Sequence, residues 1–125
     1  MMNRPHTPGF LALVAEAKKR IREIDIEEYR AMRDRGDKHL LVDVREDHEF
    51  DAGHAQGAKH LGKGVIERDM ETEVPDKDAC VVLYCGGGYR SALATASLQK
   101  IGYRNLISLD GGWTAYEASG LPMER

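Results

Sequence analysis

The chain has 125 residues and a mass of 14.0 kDa, with 42% apolar and 31% charged residues and four prolines, which fits one folded domain and argues against a disordered or membrane class. Its net charge of −3 argues against broad nucleic-acid binding, and the apolar run near its start, Phe10 to Ala15, is too short for a membrane span. Neither nucleic acid nor membrane is therefore an expected partner, and two cysteines, which make no disulfide framework, point to a reducing compartment, expected to be the cytoplasm.

Residues 1–9, with Pro5 and Pro8, read as a loose leader. Phe10, Leu13, Val14, Ala17, Ile21 and Ile24 recur at helical spacing, which predicts an amphipathic helix from Phe10 to Ile24 whose charged face is solvated. Its apolar stripe is expected to pack on the body of the same subunit; a dimer or partner contact is the alternative, so monomer and homodimer both stay open. Asp25 with Glu28 predicts a capping box for a second helix ending near Arg35, where Gly36-Asp37 stops it. The chain then alternates. Leu40 to Val44 reads as a buried strand, Glu46 to Ala52 as a short helix, Ala58 to Leu61 as a brief strand and Val65 to Thr72 as a helix. Cys80 to Tyr84 is the next strand, Ser91 to Ile101 the next helix with Gly102 as its stop, and Leu106 to Leu109 a final strand before a helix from Trp113 to Ala118. Short apolar strands alternating with helices imply an α/β domain with a mainly parallel sheet.

The run Cys85-Gly86-Gly87-Gly88-Tyr89-Arg90-Ser91 joins a predicted strand to a predicted helix. Glycines there permit close backbone approach, and a helix N-terminus supplies partial positive charge, so the run has the chemistry of an anion-binding thiolate loop. Topology points to the same place. Ligands of open parallel sheets sit outside the carboxyl ends of the strands, where Arg45, Cys85 and Asp110 all fall.

Four segments together resemble the rhodanese homology domain: Asp43-Val44-Arg45 with Glu49-Phe50, then Gly53-His54-Ala55-Gln56-Gly57-Ala58, then Cys85 through Ser91, and lastly Asp110-Gly111-Gly112-Trp113. The resemblance implies a five-stranded, mainly parallel sheet flanked by helices, with residues 25–125 as the rhodanese domain and residues 1–24 as leader and extra amphipathic helix. It further implies a sulfurtransferase that carries sulfane sulfur as a persulfide on Cys85. Sulfurtransferases of the family hold four residues between the cysteine and the closing arginine, and the related phosphatases five; this chain has four, Gly86 to Tyr89. Ala55 departs from the larger aliphatic residue usual at its position.

On this reading Cys85 is the nucleophile, and loop N–H groups from Gly86 to Ser91, including those of Gly87 and Gly88, converge on its sulfur. Arg90 has two compatible roles, bracing the loop and adding positive charge for an anionic donor, while Ser91 caps the helix. Tyr89 sits at the mouth, where it either selects substrates or covers the loop. The expected donor is thiosulfate or a persulfide, including one on a partner protein, and the acceptor a thiol or cyanide; neither cofactor nor metal is called for. Sulfite leaves without a proton, so the lack of an acid or base in the loop fits, and a two-step transfer predicts ping-pong kinetics.

Other residues receive structural readings. Cys80 lies five strand residues from Cys85, about 16 Å at about 3.3 Å per residue, too far for a disulfide. His39, His48, His54 and His60 lack paired metal-ligand spacing, and His54 reads as a hydrogen-bonding residue of the scaffold. Asp43 and Arg45 are braces that also mark a candidate edge of the site, and Trp113 is a packing anchor. Two other functions use the same features: an arsenate reductase or phosphatase, and a non-catalytic rhodanese-like module that serves interaction or sulfur delivery within a complex.

Overall fold

A computed structural model describes residues 5–125. Its strands in chain order are β1 (Glu23–Ile24), β2 (Leu40–Asp43), β3 (His54–Ala55), β4 (Lys59–His60), β5 (Val81–Tyr84), β6 (Leu106–Leu109) and β7 (Met123–Glu124). Its helices are α1 (Pro8–Lys18), α2 (Ile26–Arg35), α3 (Asp47–Ala52), α4 (Ile66–Glu73), α5 (Tyr89–Ile101) and α6 (Gly112–Ser119). Five strands form a wholly parallel sheet in the order β1-β6-β5-β2-β4. The five-stranded, mainly parallel sheet flanked by helices that the sequence leads one to expect is therefore the one observed.

Strand alternation decides which side of the sheet each residue serves. Val81 and Leu83 join Val42, Val44, Ile66, Met70 and Leu98 in a core under α4 and α5, and Cys85 continues that parity. Val82, Tyr84, Ile107 and Leu109 enter the opposite core with Tyr29, Met32 and Tyr116 from α2 and α6. The central strands β5 and β6 are buried on both faces, as continuous apolar runs in a parallel sheet require. Ser108 opposes Leu83 in the ladder and is fully buried, so the sheet carries one hydroxyl into the side on which Cys85 lies.

Helix ends follow local chemistry. The Glu28 N–H donates to Asp25 Oδ1 at 2.8 Å and the Asp25 N–H to Glu28 Oε1 at 3.1 Å, completing the box that opens α2. At its close Gly36 takes φ +74°, and the Asp37 N–H reaches the Met32 carbonyl at 3.0 Å.

The first helix is shorter than its periodicity predicts. It stops at Lys18, and Glu23–Ile24 instead pairs with β6, aligning Ile24 with Leu109. Ile24 is buried, but as a strand residue, while Leu13 is 63% exposed; the stripe is thus cut to Val14 and Ala17, with Phe10 half-buried. The physical reason lies at the sheet edge. Without β1 the N–H groups of Ser108 and Asp110 would lack their acceptors, the Arg22 and Ile24 carbonyls at 2.9 and 2.8 Å. The remaining α1 packs on α5 of its own chain, and Gln99 Nε2 donates to the Arg20 carbonyl at 2.9 Å.

A second, two-stranded sheet goes unpredicted. β3 and β7 pair antiparallel, with His54 opposite Glu124, and the Gln56 N–H extends the pairing to the Pro122 carbonyl at 3.0 Å. Two-residue strands carry no detectable period.

Because α1 covers α5 within one chain, removing residues 1–18 is expected to lower unfolding stability by about 2–4 kcal/mol through the burial lost at Val14, Ala17 and α5. The number of chains per particle should stay the same. Denaturant unfolding and light scattering check this; a change in particle size without loss of stability would put the stripe at an interface between copies.

Candidate active site

Cys85 follows β5 directly and is 1% exposed. Its Sγ accepts the Gly88 N–H at 3.1 Å and lies 3.6 Å from Ser91 Oγ, which in turn shares a 2.9 Å hydrogen bond with Ser108 Oγ. Among the described residues Gly88 is the loop position whose N–H reaches Sγ; the expected convergence from Gly86 to Ser91 is narrower. Ser91 is not a cap. Gly88 is the N-cap and the helix begins at Tyr89, two residues earlier than predicted, which places the Ser91 hydroxyl inside the first turn and against Sγ.

The backbone of the loop is fixed from behind. The Trp113 N–H donates to the Cys85 carbonyl at 2.7 Å and the Thr114 N–H to the Gly86 carbonyl at 3.1 Å. These N–H groups belong to the first turn of α6, which has no intrahelical acceptor for them. Gly112 adopts φ +49°, and a Cβ there would collide with the Cys85 carbonyl oxygen and lie 2.9 Å from the Gly86 carbonyl. The Asp110-Gly111-Gly112 turn is therefore a seat for the cysteine loop.

Arg90 turns toward α3. Its Nη1 donates to Glu49 Oε1 at 2.7 Å and its Nη2 to Glu49 Oε2 at 3.2 Å, while Glu49 Oε1 also accepts the Glu46 N–H at 3.0 Å. The Arg90 hydrogen bonds pull the Glu49 carboxyl down to about 2, and the same pairing raises Arg90 above its ordinary value. Arg90 still lines the cleft that opens onto Cys85, a space of about 810 Å³ bounded by His6, Phe10, Cys85, Gly87, Tyr89 and Arg90. Tyr89 stands at this mouth, as its position predicts.

Asp43 and Arg45 do not border that cleft. Arg45, 3% exposed, donates to Asp43 Oδ2 at 2.8 Å and to the Gly53 carbonyl at 2.7 Å, and its guanidinium lies 4.7 Å from the Trp113 ring centroid. Burial opposes the Arg45 charge, but the Asp43 carboxylate outweighs it and raises Arg45 above its ordinary value. These two residues, with Trp113, form a buried brace. His54 has a scaffold role too, its Nδ1–H donating to the Phe50 carbonyl at 2.9 Å with its ring stacked on Phe50. Cys80 is half-buried and burial pushes its thiol up.

Sequence reasoning missed four contributors to this site. Glu49 stood only as part of a motif, and Ser108 carried a readable signal as the lone hydroxyl in an apolar strand. His6 and Phe10 reach Tyr89 only through the docking of α1 on α5, and nothing local in the sequence announces that.

The profile of the rhodanese-like domain matches residues 25–119, a span that includes the cysteine loop, its α6 seat and the Asp43–Arg45 brace. The chain belongs to the rhodanese-like domain family. It is 36% identical over 85 residues to the thiosulfate sulfurtransferase GlpE of Actinobacillus succinogenes, covering 68% of this chain and 75% of that protein. It is 37% identical over 89 residues to the probable adenylyltransferase/sulfurtransferase MoeZ of Mycobacterium tuberculosis, covering 71% of this chain but 23% of MoeZ. Among solved structures, a protein of unknown function from Rhodopseudomonas palustris, described as a possible tyrosine phosphatase, superposes with a TM-score of 0.83 at 28% identity and covers 99% of this rhodanese-like chain. No helix among the described residues is long and apolar enough to cross a membrane.

Two outcomes follow for the rhodanese-like loop. Gly112→Ala should cost about 2–4 kcal/mol in denaturant unfolding, combining left-handed strain with overpacking, and should increase reaction of Cys85 with a thiol reagent. Gly120→Ala, at φ +79° with open space around it, should show the strain alone, about 1 kcal/mol. Because Glu49 titrates lower in the folded chain than its ordinary 4.5, its contribution to stability is complete above that value and lost as pH falls toward about 2. Thermal midpoints between pH 6 and 2 should therefore fall less for Glu49→Gln than for the parent.

Proposed function

We propose that this protein is a sulfurtransferase that moves sulfane sulfur from thiosulfate or a persulfide donor to a thiol or cyanide acceptor through a persulfide on Cys85. The observation that carries the reading is Sγ at the floor of a cleft, accepting the Gly88 N–H, with the neighbouring carbonyls held away by α6. The relationship to GlpE, named a thiosulfate sulfurtransferase, supports it.

The Cys85 thiolate attacks the outer sulfur of thiosulfate. A new Sγ–S bond forms, the donor S–S bond breaks, and its electron pair departs with sulfite; the charge of the two anions is conserved in the persulfide anion and sulfite. Cyanide then attacks the outer sulfur, forming thiocyanate and returning the Cys85 thiolate. The outer sulfur extends past Sγ toward the first turn of α5, where the N–H groups of Tyr89, Arg90 and Ser91 have no intrahelical acceptor and the helix start favours an anion. The Ser91–Ser108 hydroxyl pair lies beside Sγ and hydrogen-bonds the anionic forms on either side of the transfer. Neither step needs a proton delivered to the leaving group. Arg90, held by Glu49, keeps the loop's far end in place.

The likeness to the Rhodopseudomonas palustris protein, described as a possible tyrosine phosphatase, favours a second reading, phosphoester hydrolysis. Against it stand the four residues between Cys85 and Arg90 and the engagement of both Arg90 terminal nitrogens by Glu49. A phosphoryl group would need that guanidinium and an acid for its leaving oxygen.

Intact-protein mass after incubation with thiosulfate decides between them. The parent should gain one sulfur atom that cyanide removes, and Cys85→Ser should gain none. Turnover of an aryl phosphate dependent on Cys85, with no sulfur uptake, would establish hydrolysis in place of transfer.

A further inference from the structure

His6 and Phe10 precede the family-matched residues, yet both line the Cys85 cleft. The two rings and Tyr89 form a mutual cluster: His6 lies 4.7 Å from Tyr89 in an edge-on arrangement, Phe10 6.2 Å from Tyr89 at 64°, and His6 5.3 Å from Phe10. The cluster is positioned by the C-terminal half of α1. Val14 and Ala17 bury the helix on the body of the chain. In its last turn Lys18 pairs with Glu23 at 3.0 Å and Asp110 at 3.5 Å, and its Nζ lies 5.6 Å from the Tyr89 ring centroid. Phe10, against Tyr89 of α5, remains half-buried at the mouth.

From these contacts we infer that His6, Phe10 and Tyr89 form a subsite for a flat organic group on the sulfur donor, so that the first helix sets donor specificity. The inference rests on the sulfur-transfer reading of Cys85. Three rings, the open backbone of Gly87 and a cleft of about 810 Å³ exceed what a bare inorganic anion occupies, and they match pockets that hold organic ligands. Cys85 is 1% exposed, so a donor reaching Sγ passes along this wall. The fitting class is an anion of the form R–SO2–S⁻ or R–S–S⁻ whose R is planar and apolar. Its sulfur end meets the loop while R packs edge-on or offset against the rings. For a thiosulfonate, Sγ takes the outer sulfur, the S–S bond breaks, and its electron pair leaves with the sulfinate R–SO2⁻, so charge balances as it does with thiosulfate.

The test pairs anions that share a head group and charge and differ in body. Titration calorimetry on the reduced full chain should find benzenesulfonate bound about tenfold tighter than methanesulfonate, and Phe10→Leu or His6→Ala should cut that ratio between about two- and tenfold. Leu13→Ala, on the exposed face of the same helix, should leave the ratio unchanged. In kinetics the ratio of kcat/KM for benzenethiosulfonate over methanethiosulfonate should fall in parallel in the Phe10 and His6 variants. Equal binding of the two sulfonates, or a ratio indifferent to both ring variants, overturns the subsite. Phe10→Leu keeps an apolar side chain in the helix, and an unchanged unfolding midpoint separates ring loss from undocking; if the ratio falls only in variants whose midpoint drops, the rings are packing and the proposal fails. Should neither thiosulfonate load Cys85 while sulfonate binding still follows the rings, the sulfur-transfer reading fails and the subsite stands.

Discussion

The carbonyls of Cys85 and Gly86 accept hydrogen bonds from the first-turn N–H groups of α6, and the polarity of the candidate site depends on that pair. A peptide group presents its C=O and N–H in opposite directions. Turning carbonyls toward α6 turns the other edge of the loop toward the cleft, where an anion is stabilised. The same bonds satisfy two α6 donors that have no intrahelical acceptor. Loop and helix thus resolve each other's unpaired groups, and the close approach this needs is open to glycine at 112 and to little else.

Bracing spreads outward from this contact through shared residues. Trp113, whose backbone holds Cys85, has its ring 4.7 Å from the Arg45 guanidinium, and Arg45 in turn ties Asp43 at the end of β2 to the Gly53 carbonyl after α3. From the other side Arg90 ties the start of α5 to Glu49 within α3. Helix α3 is only six residues long and buries none of them, yet it is held at both ends by arginines. Ion pairs here position short elements that lack a core of their own, a use of charge that does not depend on a large net gain in stability.

The central strands and the cysteine loop were legible in sequence because each carries its own signal: apolar runs of strand length, and a nucleophile followed by glycines at a strand-to-helix junction. The Asp25–Glu28 cap and the Gly36 stop were legible for the same reason, since they are local chemistry. What could not be read was decided by distant partners. Ile24 obeys the helical period of α1 but joins β6, which lies some eighty residues later, because the sheet edge needs its backbone more than the helix needs its side chain. The β3–β7 pairing, the Glu49–Arg90 contact and the reach of His6 and Phe10 to Tyr89 likewise join residues far apart in the chain. Arg45 lies at the end of the sheet where ligands gather, as the topology indicated, but its buried pairing with Asp43 commits it to the scaffold.

The seat that α6 provides also sets an order of assembly. During synthesis the chain emerges N-terminus first, so β5, the cysteine loop and α5 leave the ribosome before residues 112–114 do. Until then the Cys85 and Gly86 carbonyls have no α6 donors. From its synthesis until residues 112–114 follow, the thiol therefore lies in a loop without its seat, and the geometry of the site waits on residues made well after it. The order of the Cys85 loop is in this way decided by residues that follow it, and a product that ends before residue 112 carries that cysteine in a loop with no seat.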